Sequence, residues 1–283
     1  MKLVVKKEAT LLEYLEGELD LSRKKIKSYL VHGMIYIDSQ KVTQYNFKLD
    51  VGMKIEIDTK TKKQLPFTIL YEDPFILVVD KPSNLLTIAT NKEKEKTLYH
   101  YVREYVKSKS KNNKIFVVHR LDKDTSGIVL FAKDVETKND FQKNWNTYTK
   151  NREYIAIVHG ILEKKSDRLV NRLLETKTNY VYVTEKKDGK EAITNYRVIK
   201  ENSHYSMLKI NIETGRKNQI RVQLAHINHA IVGDKKYQKD NKSETASRLY
   251  LHASKLQIFY KHKKGILTLE SKLPDSFQKQ IRK

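Results

Sequence analysis

The side chains best suited to chemistry lie in one polar stretch of nine residues between two apolar runs. The stretch contains, in order, His119, Arg120, Leu121, Asp122, Lys123, Asp124, Thr125, Ser126 and Gly127. Its carboxylates could act as a nucleophile or as acid and base, and its cations could hold an anionic substrate. It has no cysteine and only one glycine, so it lacks a phosphate-binding glycine-rich loop and good metal-ligand spacing. A plain polar hairpin with an internal Arg–Asp pair would show the same composition.

The flanking apolar runs, residues 115–118 and 128–132, are expected to hold this polar loop. Both are short and rich in Val, Ile and Phe, which is typical of buried strands. A polar loop held between two strands of a core is a common arrangement for a functional site.

Two further residues stand out downstream. Tyr154 lies in REYIAIVHG, where the alternation suits a strand, and a core aromatic with a hydrogen-bonded hydroxyl is its ordinary interpretation. Arg221 lies in QIRVQLAH, which continues toward a helix, and a structural ion pair would also explain it. The histidines His226, His229 and His252 do not have the spacing of a standard metal site.

The charge balance favours a polyanionic partner. Lys and Arg number 56 against 34 Asp and Glu, which gives a net charge of +22. Nucleic acid and an anionic membrane surface would both fit. No apolar run is long enough to span a bilayer, no signal peptide is evident and cysteine is absent, so we expect a cytoplasmic protein without disulfides.

The chain is expected to form two domains, at 1–58 and 67–283, joined by a basic linker at 59–66. In the first, Ile26 and Leu30 lie one helical turn apart and should face inward, whereas Arg23, Lys24 and Lys27 should face solvent. Alternating segments at 34–38 and 54–58 predict strands. In the second, the Lys- and Tyr-rich stretch 91–114 predicts a helix at 97–107 with exposed basic flanks, for which solvation is a commoner explanation than RNA contact.

The string HRLD-x-x-TSG, followed by an apolar strand ending in Ala-Lys, resembles the signature of the RluA family of pseudouridine synthases. The resemblance makes Asp122 the catalytic residue. It assigns Tyr154 and Arg221 to the active site through the segments REY and QIRV, with Arg152 at a position that is usually Lys. It also covers Gly233-Asp234 and Tyr237. The chain departs from the family at Lys217-Asn218, where Thr-His is common.

A second resemblance concerns the N-terminal segment. SRKKIKSYLVHGMIYIDSQKV is similar to the S4 RNA-binding fold, in which a Ser-Arg helix start and a basic face contact RNA phosphates. The matching positions here are Ser22, Arg23, Lys24 and Lys27.

Together the resemblances imply an α+β protein, with a mixed, mostly antiparallel sheet flanked by helices and a small S4-like αβ domain in front. They imply isomerisation of uridine to pseudouridine within RNA, with no cofactor and no metal. The RNA is expected to be large-subunit ribosomal RNA, with transfer RNA second, and the protein is expected to act as a monomer without a membrane partner.

Several alternatives remain open at this stage. Asp122 could attack C1′ of the sugar, attack C6 of the base, or abstract a proton at C2′ to give a glycal. Arg221 could orient Asp122 and keep it charged, Arg120 could fill the space left by the flipped base, and Tyr154 could stack on the base or assist loss of the C5 proton. A non-catalytic RNA-binding protein and an RNA hydrolase using Asp122 and Asp124 are the competing functions.

Overall fold

A computed structural model describes residues 1–31, 33–58, 65–91, 93–238 and 246–282. The chain forms two compact units, Met1–Leu65 and Pro66–Lys283. Most of the expected linker, residues 59–64, lies outside the described residues. In the described part of the chain, no helix is long and apolar enough to cross a membrane.

The first unit combines two helices with short antiparallel strands. Its elements are β1 (Lys2–Val4), β2 (Ala9–Thr10), α1 (Leu11–Glu18), α2 (Arg23–Val31), β3 (Ile35–Ile37), β4 (Gln40–Val42), β5 (Lys48–Leu49) and β6 (Lys54–Ile57). One sheet has the order β1-β6-β3-β4, and β2 pairs with β5. Helix α1 begins where the Glu13 carboxylate accepts a hydrogen bond from the Thr10 hydroxyl at 2.7 Å, which stabilises the helix start.

The two faces of α2 divide as the sequence predicts. Ile26 and Leu30 are buried against α1 and the sheet, at 0% and 2% exposure. The cationic side chains Arg23, Lys24 and Lys27 are exposed, and Ser22 at the helix start is exposed as well. Because the apolar stripe anchors the helix in the core, the basic residues are left on its solvent side.

The second unit is built on one large sheet with helices packed against it. Its strands are β7 (Thr68–Glu72), β8 (Ile76–Lys81), β9 (Phe116–Val117), β10 (Ser126–Ala132), β11 (Thr149–His159), β12 (Ser166–Glu175), β13 (Val181–Thr184), β14 (Lys190–Glu201), β15 (Tyr205–Ile212), β16 (Leu251–Tyr260) and β17 (Gly265–Glu270). Its helices are α3 (Leu98–Lys109), α4 (Val135–Tyr148), α5 (Gln219–His226) and α6 (Asp275–Gln280).

The sheet is mixed and mostly antiparallel, as expected. Among the described residues its main order is β13-β12-β14-β15-β11-β16-β10-β8-β7, with β17 added to β16 and β9 added to β10. The pairing of β10 with β16 is parallel. At that pairing Gly127 has a φ of +115°, and a Cβ there would lie 2.2 Å from the Ala253 carbonyl oxygen. Only glycine therefore permits the two central strands to approach at this point.

One of the strand predictions around the polar loop was wrong in detail. The run 128–132 is fully buried within β10, as expected. The run 115–118, by contrast, contributes only the two-residue, half-buried strand β9. Strand β9 pairs with the far end of β10, at Phe131 and Ala132, and lies beside the main path of the sheet rather than within it. The polar loop is therefore held on this side mainly by side-chain hydrogen bonds rather than by strand pairing.

Candidate active site

The polar loop that leads into β10 is held by hydrogen bonds to the last residue of β8 and to the segment that follows this strand. The Thr87 hydroxyl donates to the Leu121 carbonyl at 2.7 Å and accepts from the Leu121 N–H at 3.2 Å. The Lys81 ammonium donates to the Lys123 carbonyl at 2.9 Å. Asp122 is therefore the residue between two anchored backbone positions, which limits where its carboxylate can point.

Lys81 is the most deeply buried cation at the site, with 0% exposure. Burial lowers its pKa to about 7, and the nearby carboxylates of Asp124 and Asp122 oppose that change. Its Nζ also donates to the carbonyls of Pro82 at 2.9 Å and Leu85 at 2.8 Å. These acceptors, with Lys123, match the three N–H groups of an ammonium ion, so the geometry favours the charged form.

His119 fixes the beginning of the loop. Its Nε2 accepts a hydrogen bond from the Leu130 N–H at 3.1 Å, and its ring stacks on Trp145 with centroids 4.8 Å apart. Burial lowers the pKa of His119 to about 4, with a further contribution from the Arg152 charge. A neutral ring that accepts from the backbone positions the loop and is poorly placed to act as a general base.

The Asp122 side chain remains 32% exposed, and its Oδ2 lies 3.7 Å from the Nη1 of Arg221. Burial raises the pKa of the Asp122 carboxyl, while the charges of Arg221 and Lys81 act against that rise. The expected proximity of these two side chains is therefore found, and a charged partner is in place for the carboxylate.

The main partner of Arg221, however, is a different carboxylate. Its Nε and Nη2 donate to the two oxygens of Asp234, each at 2.8 Å, and Asp234 is fully buried. Asn218 accepts from Nη1 at 3.2 Å and itself donates to the Tyr237 hydroxyl at 2.9 Å. The departure from the family at Asn218 thus supplies a side chain that helps hold the guanidinium.

Tyr154 and Arg152 line the same cleft as Asp122 and lie two residues apart on β11. Burial raises the pKa of Tyr154 to about 12, with Arg152 opposing and Asp122 adding to the rise, so the side chain is a neutral phenol. Arg152 donates from Nη2 to the Glu213 carbonyl at 2.7 Å. Its buried Nε has no hydrogen-bond partner among the described residues.

His119, Trp145, Arg152 and Asn218 are among the residues that line a cleft of about 300 Å³. The predicted residues Arg120, Asp122, Tyr154 and Arg221 all line it. Sequence reasoning did not assign roles to Lys81, Thr87, Trp145 or Asp234, and it noted Arg152 only as a motif position. The Lys-Pro turn at 81–82 and the Gly-Asp pair at 233–234 were visible signals, but neither shows its long-range partner.

Ser22, Arg23, Lys24 and Lys27, the predicted RNA-binding positions, belong to the first unit, and all four are exposed there. The histidines noted in the sequence do not form a metal set: within the described residues, no three His, Asp or Glu side chains could hold a metal ion together.

Comparison with known proteins identifies the family. The RNA pseudouridylate synthase family matches residues 75–226, more than half of the chain, including the polar loop, Tyr154 and Arg221. The chain belongs to the RluA family of RNA pseudouridine synthases. It is therefore an isomerase that acts on RNA. The match begins after the first unit of the synthase and leaves that unit unassigned.

Relatives and a solved structure agree with this assignment. The synthase is 30% identical to ribosomal large subunit pseudouridine synthase D of Nitrosomonas europaea, over 90% of this chain and 78% of that protein. It is 31% identical to the protein of the same name from Pasteurella multocida, over 77% of this chain and 69% of the relative. Human RNA pseudouridylate synthase domain containing 4 shares the fold, with a TM-score of 0.63 at 20% identity, covering 76% and 92% of the two chains.

Proposed function

We propose that the synthase converts a uridine of large-subunit ribosomal RNA to pseudouridine, with Asp122 as the nucleophile. The observation that supports the role of Asp122 most directly is its position. It is the one residue held between the anchored backbone positions Leu121 and Lys123, with its carboxylate 3.7 Å from Arg221 in a cleft. The N. europaea and P. multocida relatives, both named for the large ribosomal subunit, support that RNA as the substrate over transfer RNA.

The reaction requires the target nucleotide to leave the base stack and enter the cleft. Arg120, exposed at the cleft and two residues before Asp122, is placed to fill the space that the base vacates. The N1–C1′ bond then breaks, the uracil turns, and C5 bonds to C1′. The C5 proton leaves and N1 takes up a proton, so the overall change is an isomerisation. Attack by Asp122 on C1′, attack on C6 and proton abstraction at C2′ are each compatible with this arrangement.

The protonation state of Tyr154 bears on its role. With a pKa of about 12 it is a phenol near neutral pH and a poor base. This favours stacking on the uracil over direct removal of the C5 proton. Arg221 is held rigidly by Asp234 and offers Nη1 to Asp122, which favours the ionised carboxylate.

The first unit is proposed to serve as an S4-like RNA clamp that adds RNA affinity to the synthase. Arg23, Lys24 and Lys27 are exposed around the start of α2, next to Ser22. Phosphate contacts there would make binding salt-dependent, with a slope of roughly −0.7 to −0.9 per phosphate neutralised. The triple variant R23Q/K24Q/K27Q should therefore bind RNA with a shallower salt slope and keep its turnover at saturation. A slope equal to that of the unaltered chain would exclude the clamp.

Two measurements test the proposed function. Tritium release from RNA containing 5-tritiated uridine should be catalytic with the purified chain, and RNA length should not change, whereas a hydrolase would shorten the RNA or free uracil. Pseudouridine mapping of total RNA with and without the gene should show loss of a site in large-subunit ribosomal RNA. Loss of a transfer-RNA site instead would change the substrate, and absence of tritium release would refute the activity. We propose further that the synthase acts as a monomer in the cytoplasm.

A further inference from the structure

Helix α3 presents three different faces, and two of them are already occupied. Leu98, Val102 and Val106 are spaced four apart and are fully buried, at 2% exposure or less. On a second face, the Tyr105 hydroxyl donates to Glu72 at 2.7 Å and the Lys109 ammonium lies 2.9 Å from the same carboxylate. These contacts fix the helix on the sheet and neutralise one of its cations.

The third face bears a stripe of different character. Tyr99, Arg103 and Lys107 follow one another at four-residue spacing, so they lie along one side of the helix, one turn or roughly 6 Å apart. The stripe continues into Lys111, just after the helix ends. All four line a single groove, together with Lys114 and Phe116, and the groove has a volume of about 620 Å³. We call this feature the α3 groove.

The cations of the α3 groove have no carboxylate partner in the part of the chain that the structure describes. Among the described residues, Arg103, Lys107, Lys111 and Lys114 form no ion pair, unlike Lys109 on the neighbouring face. The only carboxylate of α3, Glu104, follows Arg103 directly and so projects about 100° around the helix from the stripe. Four unneutralised cations in one groove create a local positive potential that would attract a polyanion.

We propose that the α3 groove binds the phosphate backbone of substrate RNA outside the cleft, with Tyr99 offering a ring on which an unpaired base stacks. A basic groove bearing an aromatic side chain is the arrangement by which proteins follow a single nucleic-acid strand. The chain also passes directly from the groove to the active-site cleft, because Phe116 of the groove precedes His119 of the cleft by three positions. The inference rests on the proposed function for its partner and extends it to the flanking nucleotides.

An acidic protein segment is the other polyanion that such a groove could attract. The half-buried ring of Tyr99 at the head of the stripe favours RNA, because a carboxylate chain gains little from an aromatic face and a base gains stacking. Polyglutamate therefore serves as the probe for the competing partner.

The test compares two full-length variants that lose the same charge. R103Q/K107Q/K111Q alters the groove. K164Q/K165Q/K272Q alters three exposed lysines elsewhere in the same unit, where each lies near a carboxylate. Binding of fluorescein-labelled polyuridylate is measured against salt concentration, and tritium release is measured at saturating RNA. The groove variant should bind at least about tenfold more weakly, and its salt slope should fall by about 2, since each single-strand phosphate contact contributes roughly 0.7.

The control variant should keep a salt slope within about 1 of the unaltered chain. The groove proposal is overturned if both variants show the same slope, or if the groove variant loses polyglutamate binding while keeping its polyuridylate slope. Loss of saturated turnover with retained binding would also overturn it. If the triple variant fails to fold, Tyr99→Leu alone should still weaken polyuridylate binding roughly fivefold or more, and unchanged binding would count against the groove. Binding is scored without turnover, so failure of the proposed activity would be recognised separately.

Discussion

The two carboxylates that contact Arg221 differ in how fully their bonding is satisfied. Asp234 is 0% exposed and accepts two guanidinium hydrogen bonds at 2.8 Å, and its Oδ1 also accepts from the Lys236 N–H at 2.9 Å. Asp122 is 32% exposed and meets the same guanidinium at 3.7 Å, outside hydrogen-bonding range. The Asp234 carboxylate is therefore fully used in structural contacts, whereas the Asp122 oxygens remain available to a substrate.

This difference shows how a single arginine can serve both stability and chemistry. The buried pair with Asp234 holds the guanidinium in one orientation, because two parallel hydrogen bonds fix its plane. The Nη1 group then places positive charge near Asp122 without a hydrogen bond to it, so the Asp122 oxygens stay free to accept hydrogen bonds or to attack a substrate. If the two acids differ in this way, replacing Asp122 should mainly reduce activity, whereas replacing Asp234 should mainly reduce stability.

The largest effect is expected from Asp122→Asn, which should reduce tritium release at least about 10³-fold because it removes the bond-forming group. Burial raises the pKa of this carboxyl, so the folded state holds its proton more tightly than the unfolded state. Stability then falls as pH rises through the interval between the two pKa values, and the ionised group costs stability at neutral pH. Asp122→Asn should therefore be at least as stable as the unaltered chain.

Asp124→Asn is the matched control for this substitution, because it lies in the same loop and also removes a carboxylate. It should keep most of the activity. A hydrolase that needs both acids would lose its RNA-cleaving activity in either variant. Near-normal tritium release by Asp122→Asn would show that Asp122 is not the nucleophile.

The second effect concerns stability. Asp234→Asn should lower the free energy of unfolding by about 3 kcal/mol or more, because a buried guanidinium loses the carboxylate to which it is hydrogen-bonded. Activity should fall as well, since Arg221 loses its orientation. Urea denaturation of Asp234→Asn and Asp275→Asn provides the comparison: Asp275 is 83% exposed and lies 3.9 Å from Lys272, so its loss should cost less than about 1 kcal/mol. Equal losses would show that the buried pair is not the stronger element.

The third effect is smaller and tests the anchoring of the loop. Thr87→Val keeps the shape of the side chain but removes both hydrogen bonds to Leu121, so it should cost about 1–3 kcal/mol of stability. Turnover should fall more than substrate affinity, because Asp122 is displaced while the rest of the cleft remains. Thr90→Val, at an exposed position where the hydroxyl accepts one backbone N–H, is the control and should have little effect on either. Unchanged turnover in Thr87→Val would mean that Leu121 is not needed to place Asp122.

The smallest effect is a shift in pH dependence. Turnover at saturation should fall with decreasing pH, with a midpoint above the ordinary Asp value of 3.8, because burial raises the pKa of Asp122 and protonation removes the nucleophile. Lys236 opposes that rise and Asp124 adds to it. Lys236→Met should move the midpoint upward and Asp124→Asn should move it downward. Shifts in the same direction would assign the acid limb to another group.

Local patterns allowed much of the fold to be predicted. The helix predicted at 97–107 starts within one residue of α3, which begins at Leu98. Thr97 caps this start, because its hydroxyl oxygen accepts a hydrogen bond from the His100 N–H at 3.2 Å. The inward positions Ile26 and Leu30 followed from helical spacing. The short length and partial burial of β9 could not be predicted, because an apolar run in the sequence does not show how much of that run will be covered by a neighbouring strand.

For the site, the sequence by itself determined which residues were candidates. Asp122, Tyr154 and Arg221 came from motifs whose residue types and order are local properties of the chain, and the structure brings all three to one cleft. Only the tertiary structure decided what each one contacts. Arg221 contacts Asp234, which is 13 residues away in sequence, and Thr87 contacts Leu121, which is 34 residues away. The spacing of residue types along the chain does not predict such pairs. Sheet topology sets these distances, because hydrogen bonds and ion pairs depend on where separate segments are placed in space.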